Sequence, residues 1–435
     1  MNSNSARRAS IILGVFMAIV LLGGTIIPLI TRNQTTTTQT VDPTDVPTPT
    51  YPPVITDYTG ISFDKVYLHP TGMYTIPEPT GWEVSSPSSN VGIAQVNMIN
   101  QTQLSVIDAY VQDAEGTITP QDLDARFTRE TILATWSNFR DPIETNRSFE
   151  NDILTIDFRV GLANGQTYVA RQNVWTDGEW IYVVRVVVPE NATEMLRYLL
   201  ANLTGKITPF KQFATTPFNW AAYYDSVTNH IIRYPQGWTV TDSAPGRPTS
   251  IAGTSSEALR VEARAGVSVA DEAAATAWIE TERPGAAVLS VAPVTRGEVS
   301  GFSVAYTYAD VEGAPQSGLA VLLNGVDALH IANLHFPGAN IDLNTVVAPV
   351  EPAAEATELP GLLAGGTDSL EQTLAQVMAS FQLLPTLNLS ASSLPPATPT
   401  ALPTLAPTVE ATAEITAEAT EAAPADVTPE ATVSS

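Results

Sequence analysis

Apolar residues along this chain follow three different regimes. From 11 to 30 they form an unbroken run of 20 residues without a charge, with Arg7 and Arg8 before it and Arg32 after it. A helix rising about 1.5 Å per residue would span about 30 Å over that run, the thickness of a bilayer core. The extra arginine on the N-terminal side predicts an anchor with its N-terminus in the cytoplasm. The run outlasts the apolar region of a cleaved signal peptide. It closes on Thr25-Ile26-Ile27-Pro28-Leu29-Ile30, which has no small-residue cleavage pattern. Everything after Arg32 is therefore expected outside the cytoplasm, tethered to the membrane through 11–30, with 1–10 inside.

In the second regime, at 31–57 and 386–435, periodicity is absent. The first tract is rich in Thr and Pro, and the second in Ala, Thr, Pro and Glu with no basic residue. Neither can bury a core, so both read as disordered: a stalk and an acidic tail.

Between these tracts, apolar residues alternate with period two, broken by helical stretches, and the whole pattern occurs twice. The pairs Gly81-Trp82 and Gly237-Trp238 lie 156 residues apart. Leu104-Ser105-Val106 recurs as Leu259-Arg260-Val261 at an offset of 155. Helix openings follow at Thr119-Pro120-Gln121-Asp122 and Ser268-Val269-Ala270-Asp271, offset 149, each with a capping hydroxyl and an acid three residues on. The turn dipeptides Asp177-Gly178 and Asn324-Gly325 are 147 apart, and each half closes with a helix, at 192–203 and 369–381. This order predicts a tandem duplication of two domains, 58–212 and 213–385, with a boundary near 211–217. An Ala/Pro/Gly/Glu-rich insert at 338–368 interrupts the second; it reads as a surface loop, or functionally as a lid over a cleft.

The piece Tyr234-Pro235-Gln236-Gly237-Trp238, followed by strands, a helix, a three-stranded meander and a last helix, resembles the PsbP-like α/β sandwich. That fold is shared by photosystem II extrinsic proteins, a Ran-binding nuclear import factor and exported bacterial DcrB-like proteins. The first half departs from it, with three residues instead of one between Pro77 and Gly81. The resemblance implies an α+β fold: two tandem PsbP-like domains, each an antiparallel sheet packed with helices, after one N-terminal transmembrane helix. It also implies a non-catalytic binding or assembly module, because the family carries no shared catalytic motif. Proline ends the strand, glycine permits the bend, and Trp82 and Trp238 are expected to cap core edges rather than stack on sugars.

Charge narrows the partners. The chain holds 20 Lys and Arg against 45 Asp and Glu, a net −25, with no Lys or Arg after Arg296. Nucleic acid and anionic headgroups need a basic surface and are set aside. Cys is absent, which removes disulfides, thiolate metal sites and Cys nucleophiles.

A search for chemistry returns little. His330 and His335 are five apart in one predicted strand and face opposite ways; His69 and His230 sit near corresponding positions of different halves. Neither a metal spacing nor a nucleophile elbow occurs. Ala364-Gly365-Gly366-Thr367 before the last helix lacks the lysine of a phosphate loop. The acids Asp108, Asp113 and Glu115, and the pair Asp177 and Glu179, read as solvated turn acids rather than a hydrolytic pair. Asn146, Asn191 and Asn202 lie in glycosylation sequons that matter only in a glycosylating host. No metal or cofactor is implied.

One feature stands above this background. In the first-half meander Thr155, Asp157 and Arg159 alternate against an apolar face, Arg171 and Trp175 follow in the next strand, and Arg185 interrupts a Val-rich run. Arg159, Arg171, Arg185 and Trp175 are thus the candidate partner or anion face. The competing reading is a cross-strand ladder, with Asp157 paired to Arg171 or Arg185. The expected function is a non-catalytic extracytoplasmic binding or scaffold protein with a protein or cell-wall partner. A small-ligand sensor or carrier with a pocket between sheet and helix is the alternative, and a carboxylate hydrolase the remote one.

Overall fold

The structure is a computed structural model that describes residues 58–393, except 59, 88–91, 137–138, 163–164 and 347–368. The expected anchor at 11–30, the stalk, most of the insert and nearly all of the tail lie outside these residues. Among the described residues no helix is long and apolar enough to cross a membrane.

In the first half the elements run β1 (Lys65–Leu68), β2 (Tyr74–Glu78), β3 (Glu83–Ser85), β4 (Ile93–Asn100), β5 (Ser105–Asp113), α1 (Asp122–Arg126), α2 (Arg129–Ala134), β6 (Arg140–Glu150), β7 (Ile153–Gly161), β8 (Thr167–Thr176), β9 (Trp180–Pro189), α3 (Thr193–Leu203) and β10 (Thr208–Pro209). In the second half they run β11 (Ala221–Tyr224), β12 (His230–Tyr234), β13 (Thr239–Asp242), β14 (Thr249–Ala252), β15 (Ala258–Ala265), α4 (Glu272–Glu282), β16 (Ala287–Arg296), β17 (Val299–Ala309), β18 (Pro315–Asn324), β19 (Ala328–Pro337), α5 (Leu370–Ala379) and β20 (Gln382–Leu383).

These strands make two seven-stranded antiparallel sheets with one strand order, β3-β4-β5-β9-β8-β7-β6 and β13-β14-β15-β19-β18-β17-β16. Two three-stranded sheets, β1-β2-β10 and β11-β12-β20, complete the β structure. The β-branched and aromatic residues that alternate along β7 suit a pleated surface buried on one face. β9 is buried at every position, as the centre of a sheet covered on both sides requires.

The α+β expectation, two PsbP-like domains each made of a sheet packed with helices, is corrected here: the described chain is mostly β. It has 20 strands in four antiparallel sheets, against five α-helices of 5 to 11 residues. The physical reason lies in the strands before each Gly-Trp turn. β1-β2 and β11-β12 do not join the large sheets but form small sheets of their own. Met73, Tyr74 and Ile76 in the first half, and Tyr223 and Ile232 in the second, supply core area that helices were expected to fill.

The Gly-Trp turns form where the pattern places them. Gly81 and Gly237 take φ of 81° and 96°, the left-handed region that glycine enters freely. Trp82 is buried in the first core, and Trp238 packs half-buried on the second. The helix opening at 268–271 is displaced: Asp271, not Ser268, caps α4 by accepting from Ala274 N at 2.8 Å. Ser369 and Gln372 close a capping box at the start of α5.

The two halves share a core. Tyr224, Ile231 and Leu384 of the second half lie in the same cluster as Met73 and Tyr74. Gly72, at φ 69°, makes the approach possible, since a β-carbon there would sit 2.7 Å from Ala222 Cβ and 2.9 Å from Ile231 Cδ1. The stretch after 385 does not begin as a tail. Val66 N donates to Asn388 O at 3.0 Å and Ser390 N to Val66 O at 2.9 Å, while Leu387 and Leu389 pack on the first core. Apolar side chains at that spacing hold the strand edge where Ala/Thr/Pro sequence would not.

Candidate functional site

Each large sheet has a second face, covered by the helices that follow β5 and β15. In the first half this face is closed. Arg185 of β9 lies on it, opposite Asp108 of β5 and Gln172 of β8 in the strand register. Arg185 Nε donates to Gln172 Oε1 at 2.8 Å, Nη2 donates to Thr135 Oγ1 at 3.2 Å, and the guanidinium stacks 4.6 Å from the Trp136 ring centroid. Asp108 accepts from Gln95 Nε2 at 2.7 Å. Burial pushes the Asp108 carboxyl up, and Arg185 partly offsets that.

The predicted basic face is therefore divided. Asp157, Arg159, Arg171 and Trp175 share the opposite side of the sheet, where β7 and β8 pair Asp157 with Arg171. Arg171 grips Asp157 through two bonds, Nε to Oδ1 at 2.6 Å and Nη2 to Oδ2 at 2.9 Å. Arg159 pairs with Glu190 at 3.0 Å, half exposed. Trp175 stacks on Tyr182 at 5.5 Å and packs against the core. Arg185 is only 2% exposed, so it cannot meet a partner alongside the other three.

In the second half the corresponding face is open. A cavity of about 290 Å³ lies between α4 and strands β15, β19 and β17. Arg260, Glu262 and Arg264 alternate along β15 and so point to one face. Arg264 bridges two carboxylates, Glu262 Oε1 and Glu282 Oε1, each at 2.5 Å, and its guanidinium holds Glu282 below the usual carboxylate range. Arg260 holds the other oxygen of Glu262 at 3.0 Å.

The far wall is a ring of polar aromatics. Tyr306 Oη donates to Asn333 Oδ1 at 2.7 Å. Tyr308 Oη lies 3.1 Å from His335 Nδ1, and Arg283 Nη2 lies 3.3 Å from His335 Nε2. The Arg283 guanidinium sits over the Tyr308 ring, 4.4 Å from its centroid. Burial and the Arg283 charge lower His335 to about 4, so its ring is neutral at pH 7. The Trp278 Nε1 atom, on α4, is buried without an acceptor.

Sequence reasoning missed this cleft, although its signal was present. Three charged residues at period two in β15, followed by Trp278, Glu282 and Arg283 within one and a half turns of a helix, mark a polar strand face under a polar helix face. The other sequence candidates are not brought together. His69 is buried against Gln95 O and Thr71 Oγ1, while the His230 and His330 rings lie 5.8 Å apart on the opposite face from His335. Among the described residues no three His, Asp or Glu side chains form a metal-binding group.

No protein-family model matches the chain, and no curated protein matches it. Solved structures do. Cyanobacterial PsbP (CyanoP) from Synechocystis sp. PCC 6803 is similar over 34% of this chain and 92% of its own, at 14% identity and TM-score 0.26. A protein from Bacteroides thetaiotaomicron VPI-5482 is similar over 38% of this chain at 11% identity and TM-score 0.23; the match spans 48% of that protein. The type VI secretion immunity protein TplEi of Pseudomonas aeruginosa is similar over 77% of this chain and all of its own, at 12% identity and TM-score 0.19. The likeness to PsbP covers part of the chain, and similarities of this order say nothing about activity.

Proposed function

We propose that this chain is a non-catalytic binding protein that takes a small ligand in the cleft between α4 and the β15-β19-β17 face. The observation that carries the reading is the 290 Å³ cavity, which has an apolar floor of Ile279 and Ile331 and a rim of convergent polar groups. Small-ligand sites are concave, largely pre-formed and built in that way. The first half supports it by contrast, since the same face there is filled by Trp136, Phe158 and the Arg185 side chain. Against a hydrolase stands the pairing of both cleft carboxylates with arginine, Glu262 with Arg260 and Arg264 and Glu282 with Arg264, which holds Glu282 low where an acid catalyst needs a raised carboxyl.

The reading keeps the expected address: an anchor at 11–30 holds the binding unit outside the membrane. It also keeps duplication, supported by the shared strand order of the two large sheets. A thermal-shift screen of the full chain in detergent tests the function, against metals, nucleotides, sugars, wall fragments and small organic anions. A ligand at about 100 times its dissociation constant stabilises by about 2.7 kcal/mol and raises the midpoint by several degrees. A shift with one class supports the reading. A flat response to every class removes it and leaves a protein partner.

A further inference from the structure

Resting on that cleft reading, we infer that the ligand is a small carboxylate-bearing molecule whose charge is anchored by Arg283. The other charges of the cleft are already matched. Glu262 is held by Arg260 and Arg264, and Glu282 by Arg264. Arg283 has no carboxylate within ion-pair distance among the described residues. Its polar contact is His335 Nε2 at 3.3 Å. To accept there, His335 must carry its proton on Nδ1, which then donates to Tyr308 Oη. A neutral imidazole does not balance a guanidinium, and the Tyr308 ring does so only in part. Arg283 thus lines the cavity with an unmatched charge and N–H donors to spare.

The neutral donors point the same way. Asn333 spends its carbonyl oxygen on Tyr306, so its amide N–H pair lacks an acceptor among the described residues. A ligand carrying an acceptor oxygen would meet the Asn333 amide, while Ile279, Ile331 and the Tyr306 ring would face its carbon skeleton.

Charge also selects among anions. A planar carboxylate matches the guanidinium fork and brings one negative charge to one unmatched positive charge. A phosphate brings nearly two, into a cleft that Glu262 and Glu282 also line. A cavity of about 290 Å³ has room for a small molecule.

Calorimetric titration of the full chain with benzoate, its neutral isostere benzamide and inorganic phosphate tests the inference. Benzoate should bind at least tenfold more tightly than either of the others. Arg283→Gln should weaken benzoate at least tenfold and benzamide far less, while Arg283→Lys should restore part of the benzoate loss. Circular dichroism of each variant checks that the fold is intact. Equal binding of benzoate and benzamide, tighter binding of phosphate, no benzoate binding at millimolar concentration, or indifference to Arg283→Gln would each overturn the inference. The variant Asn333→Phe, which fills the cleft, separates the two levels. If benzoate still binds to it, the cleft reading itself fails. If binding is lost there but unaffected by Arg283→Gln, only the carboxylate assignment fails.

Discussion

Arg233 Nε donates to the carbonyl oxygen of Thr71 at 2.7 Å, joining the second half of the chain to the first across 162 residues. The same guanidinium donates to Pro217 O at 2.7 Å and to the Thr216 hydroxyl, and is wholly buried. Burial lowers it to about 9, so it remains charged at pH 7, solvated by backbone carbonyls instead of an acid. Arg233→Met would leave those carbonyls without a donor, and should cost about 3–5 kcal/mol. Differential scanning calorimetry should show one transition for the natural chain, and an earlier, split transition for the variant. An unchanged midpoint would show that the shared apolar core suffices.

Asp108 and Arg185 face each other across β5 and β9, both buried. Arg185→Met should destabilise by about 3–5 kcal/mol, because the Asp108 carboxylate loses its compensating charge. Asp108→Asn added to that variant should recover a substantial part. Urea unfolding of the four members of the cycle measures the coupling. Additive losses would mean that Gln95 and Gln172 satisfy each side independently.

Acid should weaken the fold through its histidines. Burial lowers His69, His230 and His335 to about 4, against about 6.5 in an unfolded chain. Between those values the unfolded state binds more protons, so stability falls as pH drops from about 6.5 towards 4. Asp108, shifted upward by burial, works in the opposite direction. His69→Gln isolates one histidine: the loss of denaturation midpoint between pH 7 and pH 5 should shrink in that variant. An equal loss would assign the acid sensitivity elsewhere.

Gly318 lies between Tyr306 and His335 in the strand register, and a β-carbon on it would come within 2.4 Å of the Tyr306 ring. Gly318→Ala should therefore push the tyrosine off Asn333, destabilise by about 1–3 kcal/mol and weaken ligand binding. Denaturant unfolding alongside a benzoate titration reads both effects. Normal stability with normal binding would mean that the ring has room to move.

Much of the framework was legible because it follows from local rules. Period-two alternation marked β7 and β8, Asp177-Gly178 and Asn324-Gly325 marked two hairpin loops, and the Gly-Trp pairs marked turns that need positive φ. The separation of β1-β2 and β11-β12 into small sheets was not legible, since strand partners are chosen by tertiary packing and not by pattern. The division of the arginine face was hidden for a related reason. Arg171 and Arg185 are paired through neighbouring strands, and the β8-β9 register, which places Arg185 opposite Gln172, decides that they point to opposite sides. The cleft needed one more step, the docking of α4 on β16 and β17, which brings Trp278 and Glu282 onto Arg264 of β15.

The central claim is that a small ligand binds under α4. Hydrogen–deuterium exchange of the full chain with and without benzoate would test it most directly. Slower exchange is expected only in peptides covering β15, the end of α4 with Arg283, and β19 around Asn333 and His335. Protection centred instead on β7 and β8, beside Arg159, Arg171 and Trp175, or no protection at a concentration that saturates binding, would contradict it.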